Sequence, residues 1–229
     1  MTGITSSARP LAPPRLRLFR PPGVYRPQDD TWFLASALHA SGMPSGARVL
    51  DLCAGTGALA LTAATSGAAS VTAVDISRRA LAAVWTNARL RRLPIRPLRG
   101  SLAEAARGGP YDVVLANPPY VPCPKPASGA ARAWDAGPDG RVVLDQLCSE
   151  VASMLAPQGF LLLVHSAVAD VDKSLSQLRA SGLSATVVAA RPILFGPVMR
   201  ARAVFLEEAG LIAAGQQHEE LVVIRAERP

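Results

Sequence analysis

Lysine is nearly missing from this 229-residue chain: Lys125 and Lys173 are the only two, so almost all of its 24 basic side chains are arginines. Long apolar runs are missing as well. None approaches the roughly 20 residues needed to cross a bilayer, and the N-terminus lacks the apolar core of a secretion signal. These absences argue against membrane residence and favour the cytoplasm. No acid precedes Asp29. The Arg-rich start faintly imitates an organelle transit peptide but reads better as a flexible, basic, Pro-rich arm over residues 1–24, with residues 25–229 as the domain. Cysteine is sparse, and Cys53, Cys123 and Cys148 show no paired spacing, which argues against a disulfide framework and against a metal site. His39, His165 and His218 are scattered and form no ligand cluster.

What is present is a globular composition, 49% hydrophobic and 18% charged, enough for one domain with a core. The net charge of +7 suits nucleic acid or another acidic partner. A genomic preference for Arg, Ala, Gly and Pro codons gives the same balance, and charge alone does not choose between the two.

The most informative residues are Asn117-Pro118-Pro119-Tyr120, at the end of the apolar run Tyr111 to Ala116. A planar amino group is a poor nucleophile because its lone pair is delocalised. Methylating it requires holding both N–H groups and turning the lone pair toward the methyl donor. The Asn117 side-chain oxygen and a rigidly aimed Pro118 carbonyl supply two acceptors. Pro118 and Pro119 fix the chain direction, and Tyr120 offers a flat face. The pattern points to methyl transfer onto an amide or exocyclic amino nitrogen, with Asn117, Pro118, Pro119 and Tyr120 as the catalytic set.

Upstream, Val49 to Ala60 runs from an apolar strand into a glycine loop and a helix. Gly55, Gly57 and Ala60 fit a nucleotide-binding turn. Asp75 follows Gly55 by the spacing of a ribose-binding carboxylate. Asp51, just before the loop, would repel a pyrophosphate but suits a sulfonium and an ammonium. The predicted cofactor is therefore S-adenosyl-L-methionine.

On these residues the chain resembles class I methyltransferases of the HemK/PrmC type, which are protein-glutamine amide methyltransferases. The resemblance extends to Val24–Thr31 and to Ala133–Arg141. It implies that Thr31 and Asp51 meet the methionine end of the cofactor, and that Cys53, Ala54, Gly55, Gly57, Asp75, Ile76, Ser101, Leu102 and Asn117 complete its site. Ser101 stands where many members carry an acid facing adenine. Only about two dozen residues precede Tyr25, so the chain is similar to the compact branch without an N-terminal helical domain. That branch implies a protein substrate, with a translation release factor as one candidate, and a small zinc-ribbon activator protein. The alternative substrate is the adenine amino group of RNA or DNA, which the Asn-Pro-Pro-Tyr site suits equally well. A non-catalytic binding module is the third reading.

The expected fold is α/β: a doubly wound, mostly parallel, seven-stranded Rossmann-like sheet. Strands are expected to end at Asp75 and Asn117 and to cover Ile95–Leu98, Phe160–His165, Ser184–Ala190 and Leu221–Arg225. Helices are expected from Asp29 or Asp30 to His39, Ser77 to Arg92, Gly140 to Leu155 and Asp170 to Ser181. A helical insertion at about 191–217, starting at Gly196-Pro197, would either bring Arg191, Arg200 and Arg202 to the cleft mouth as positive charge for substrate or serve as a lid that only covers apolar surface. The basic run Arg89–Arg99 reads either as dipole-favourable cations at a helix end or as a nucleic-acid contact.

Overall fold

Near-continuous apolar runs, bounded by glycine and proline turns, build the centre of the molecule. The computed structural model describes residues 17–125 and 128–229; residues 1–16, most of the expected arm, lie outside them. In chain order the elements are α1 (Asp29–Ala40), β1 (Arg48–Leu52), α2 (Ala58–Thr65), β2 (Ser70–Asp75), α3 (Arg78–Arg91), β3 (Ile95–Arg99), α4 (Leu102–Ala106) and β4 (Tyr111–Ala116). Then come α5 (Val142–Glu150), β5 (Leu155–Ser166), α6 (Val171–Ala180), β6 (Ser184–Leu194), α7 (Pro197–Ala201), α8 (Ala203–Glu208) and β7 (His218–Glu227).

The seven strands form one sheet in the order β3-β2-β1-β4-β5-β7-β6. β7 pairs antiparallel with both β5 and β6, and the other pairings are parallel. This is the expected doubly wound, mostly parallel sheet. Strands covered on both faces need apolar residues throughout, and Val113, Val114, Leu115 and Ala116 of β4 are all buried. One core packs Leu144, Leu147 and Met154 against Leu161 and Leu163. The other packs Leu34, Leu38 and Leu59 against Leu115 and Leu162.

Several boundaries differ from expectation. α4 was not foreseen, although Ser101 and Glu104 form a capping box around its start, a signal legible at that spacing. α5 stops at Glu150, and β5 pairs once at Leu155 before detouring to resume at Phe160. β6 continues to Leu194, so the insertion begins later than residue 191. The insertion is two short helices, broken at Arg202. They carry a small core of their own: Phe195, Met199, Leu206 and Ile212 are buried together, with Val121 and Val168 packed against them. Val204, near the start of α8, is exposed.

The described end of the arm is anchored, contrary to a flexible reading of residues 17–24. Asn87 of α3 accepts from the Phe19 N–H at 2.8 Å and donates to the Phe19 carbonyl at 3.0 Å. Arg91 holds the Arg17 carbonyl. No helix among the described residues is long and apolar enough to cross a membrane.

Candidate active site

Reversal of strand order between β1 and β4 leaves a crevice at their carboxyl ends, where ligands bind in sheets of this kind. A cavity of about 640 Å³ opens there. Its walls include Thr31, Cys53, Ala54, Gly55, Asp75, Ile76, Ser101, Leu102 and Asn117–Tyr120. Sequence reasoning thus brought together residues from five separate segments.

The glycine loop owes its shape to Asp75. One carboxylate oxygen accepts the Gly55 N–H at 2.9 Å and the other accepts the Ser77 N–H at 2.8 Å. A carboxylate has about four acceptor positions, so with the N–H groups of Gly55, Ser77 and Ile76 drawn to it one remains for a hydroxyl in the cavity. Burial raises the Asp75 carboxyl, while the N–H groups of Ser77, Gly55 and Ile76 oppose the rise. Cys53 adopts φ 58° on the cavity wall. Burial pushes its thiol up to about 12, so it stays protonated and acts as a small apolar group.

Two predicted cofactor residues are not on the wall. Gly57 faces α3: at φ +80°, a Cβ there would stand 3.2 Å from Val84 Cγ2. Its glycine is required for α2 to pack on α3, and the nucleotide-turn spacing conceals that reason. Asp51 is wholly buried beneath the loop. One oxygen accepts the Ala60 N–H at 2.9 Å, and the other has no partner among the described residues. Burial, with Asp75 nearby, pushes Asp51 up to about 8 against the Ala60 N–H. It is therefore mostly protonated at pH 7 without a cation beside it, and a bound ammonium or sulfonium would favour the ionised form.

Asp51 gives a pH prediction. An acid whose folded value lies above its unfolded one stabilises the fold at low pH, and that contribution is lost as pH rises through the folded value. The window here runs from about 4 to about 8. Between pH 5 and 8 the wild-type protein should lose up to about 1.4 kcal/mol per pH unit relative to Asp51→Asn. Urea unfolding at four pH values measures this, and parallel curves for the two proteins would rule it out.

The Asn-Pro-Pro-Tyr turn is held by α1. Asp30 is buried and accepts from Tyr25 Oη at 2.8 Å and Tyr120 Oη at 3.2 Å. Its other oxygen accepts the Thr31 N–H at 2.6 Å and the Thr31 hydroxyl at 3.1 Å. Thr31 Oγ1 in turn accepts from Asn117 Nδ2 at 3.2 Å. The direction of this chain follows from proton count. A hydroxyl has one proton; Thr31 gives its proton to Asp30, so it can only accept from Asn117. The Asn117 NH₂ is thereby turned away, and Oδ1 is left for the cavity. Tyr25 and Tyr120 are both held far above the ordinary phenol range, mainly by burial and then by Asp30, so both remain donors.

Asp30 was missed as a site residue, and Glu219, off the cavity wall, acts on it only through its charge. Asp30 read as a helix-capping acid. Glu219 of β7 is buried, and burial raises its carboxyl, with Asp30 adding to the rise. The only sequence signal for Asp30 is its place beside Thr31 in the opening segment; nothing marks Glu219.

The loop after Tyr120 is pinned over the site. Val121 N–H donates to the Trp134 carbonyl at 2.8 Å, and Ala136 N–H returns to the Val121 carbonyl at 3.0 Å. Gly140 sits at φ +75°, and a Cβ there would collide with the Tyr120 carbonyl. That close approach explains its place in the 133–141 segment. Two of the three insertion arginines expected as free charge are engaged by the protein itself. Arg202 donates to Asp135 Oδ1 at 2.6 Å and to the Pro122 carbonyl at 2.9 Å, which neutralises it and makes it a strut. Arg191 lies 4.8 Å from the centre of the Phe33 ring and bonds the Asp29 carbonyl. Arg200 alone of the three stays exposed without an ion pair among the described residues.

A Rossmann-like sheet with a carboxylate at the second strand end and an Asn-Pro-Pro-Tyr turn at the fourth defines an S-adenosylmethionine-dependent methyltransferase of class I. A family model for the methyltransferase small domain matches residues 16–185, and the chain belongs to that family. It is 36% identical over 201 residues to a release factor glutamine methyltransferase of Deinococcus radiodurans, covering 84% of this chain and 66% of that protein. It therefore spans just under two thirds of that relative's length. It is 29% identical over 181 residues to a putative protein N5-glutamine methyltransferase of Methanocaldococcus jannaschii, covering 78% of this chain and 90% of that one. Among solved structures, the E. cuniculi Mtq2-Trm112 complex, responsible for methylation of the eRF1 translation termination factor, aligns with a TM-score of 0.63 at 23% identity. The alignment covers 90% of this chain and 99% of that one.

The cavity fits S-adenosylmethionine on its own chemistry. Asp75 keeps an acceptor position, and Ile76, an exposed apolar residue in a polar stretch, lines the cavity together with Leu102 and offers apolar surface to a flat ring. When bound, the cofactor supplies an electrophilic methyl group on a sulfonium.

Proposed function

We propose that the chain methylates the side-chain amide nitrogen of a glutamine in a protein, with a translation release factor as the substrate class. The observation that carries this reading is the oriented Asn117: its NH₂ is committed to Thr31, which leaves its oxygen free as an acceptor, and both it and Pro118 line the cavity. Two acceptors at that point match the two N–H groups of a primary amide. The names of the relatives support a glutamine over other amides.

In this reading Asn117 and Pro118 hold the nitrogen and stabilise the positive charge it develops. Tyr120 and Pro119 wall the planar group. Asp75 holds the ribose, and Thr31, Cys53, Ala54, Gly55, Ile76, Ser101 and Leu102 line the rest of the cofactor site. No strong base is needed, because the methylated nitrogen is acidic and loses its proton to water. The proposal includes a small activator protein of the zinc-ribbon type and a cytoplasmic setting.

The test uses S-adenosylmethionine carrying a labelled methyl group in extract from the source cells, which also supplies any activator. Label released by protease and recovered as methylglutamine is the expected result. Label released by nuclease would replace the reading with adenine methylation of RNA or DNA.

A further inference from the structure

A second concavity, of about 1230 Å³, lies at the opposite end of the sheet from the catalytic cavity. It is lined by the first residues of β1, β2 and β3 and by the end of α3. Arg48, Arg89, Arg92, Arg96 and Arg107 surround it, and Glu104 is the one acid on its wall. Glu104 is already engaged by Ser101 and by Arg107 at 3.6 Å. Among the described residues, Arg48, Arg89, Arg92 and Arg96 form no ion pair.

Set among these cations is Trp85, 56% exposed, with the Arg89 guanidinium 5.9 Å from its ring centre. Nothing in folding requires a large aromatic side chain on the outer face of α3. An exposed indole with one guanidinium beside its ring and further arginines along the same groove is the arrangement that stacks a base while its phosphates are neutralised.

Other occupants fit less well. Residues 1–16 contain Arg9 and Arg15 and no acid, so this chain's own N-terminus does not complement the groove. A second copy brings a net charge of +7 to a positive surface. A protein adding a strand to the free edge of β3 meets Pro97 in the middle of Ile95–Arg99, which has no N–H to donate.

The geometry points to a binding groove for single-stranded nucleic acid, with Trp85 as the stacking platform and Arg89, Arg92 and Arg96 on the phosphates. It opens at the strand ends away from Asn117, so a strand held there is a tether and not the methyl acceptor. The assignment stands whatever the methyl acceptor is.

The test is fluorescence anisotropy with a fluorescein-labelled 20-nucleotide RNA, and DNA of the same sequence, from 50 to 300 mM KCl. The logarithm of affinity should fall with the logarithm of salt with a slope of about −2, for three phosphate contacts. Trp85→Ala should weaken binding at least ~5-fold. Arg92→Glu with Arg96→Glu should weaken it at least tenfold. Arg26→Glu with Arg200→Glu, which remove the same charge from other exposed positions, should change it less than ~3-fold, an effect of net charge alone. Equal losses in both double variants would reduce the effect to net charge and overturn the site. Arginine dependence without any effect of Trp85→Ala would also overturn it, in favour of an acidic protein partner. Absence of binding at 100 mM KCl would end the proposal.

Discussion

Asn117→Ala should lower the turnover number by about 10²–10³-fold, the loss seen when one preorganised hydrogen-bonding group is removed from a reacting centre. Alanine leaves the Pro118 carbonyl in place, so the target nitrogen keeps one anchor and loses the second. Held by one N–H, the amide rotates, and its lone pair stays conjugated instead of turning toward the methyl donor. The wall around Asp75 is untouched, since that carboxylate is held by the N–H groups of Gly55 and Ser77. Cofactor affinity by calorimetry should stay within about threefold, well under 1 kcal/mol. Single-turnover methylation of a glutamine peptide is the deciding measurement. A turnover number within tenfold of wild type would mean that Asn117 does not orient the acceptor.

Asp30→Ala should cost both stability and rate. The carboxylate accepts three hydroxyl groups, those of Tyr25, Tyr120 and Thr31. Removing a buried acceptor leaves donors unsatisfied at about 1–3 kcal/mol each, so the protein should lose roughly 2–4 kcal/mol in urea unfolding. The rate effect has a different origin. Without Asp30 the Thr31 proton can point at Asn117, and the Asn117 amide can then flip and present NH₂ to an incoming NH₂. The turnover number should fall about 10²-fold. Thr31→Val separates the two effects, because it breaks the chain to Asn117 but leaves both tyrosines on Asp30. It should reproduce most of the rate loss with little of the stability loss, and Thr31→Ser should restore the rate. Full activity in Thr31→Val would leave Asp30 with a supporting role only.

The parts of the site written in local sequence were legible before any coordinates. Asp75 and Asn117 each end an apolar run, and a parallel sheet brings such ends together regardless of loop length. Their cavity positions follow from topology. Burial was not legible. Asp51 reads as a charged group at a strand end, yet the strand is covered on both faces and the loop closes over it, so the acid is mostly protonated. Gly57 was read as a ligand contact because its spacing fits one, and only the approach of Val84 shows that packing requires it. Asp30 escaped notice for another reason: its partner Tyr120 lies 90 residues away, and no local pattern encodes that contact. The insertion arginines show the same limit, since Asp135 neutralises Arg202 across 67 residues.

The α7–α8 segment has an apolar cluster that closes largely on itself, and its two ends leave neighbouring strands, Phe195 N–H donating to the Gln217 carbonyl at 2.8 Å. A segment whose ends meet and whose interior is self-contained behaves as a cassette. It can be exchanged for another of different length or charge without disturbing β6 and β7, provided that residues like Val121 and Asp135 are there to receive it. The Asn-Pro-Pro-Tyr turn and the cavity wall, to which α7 and α8 contribute no residue, then stay constant while this short stretch of chain changes.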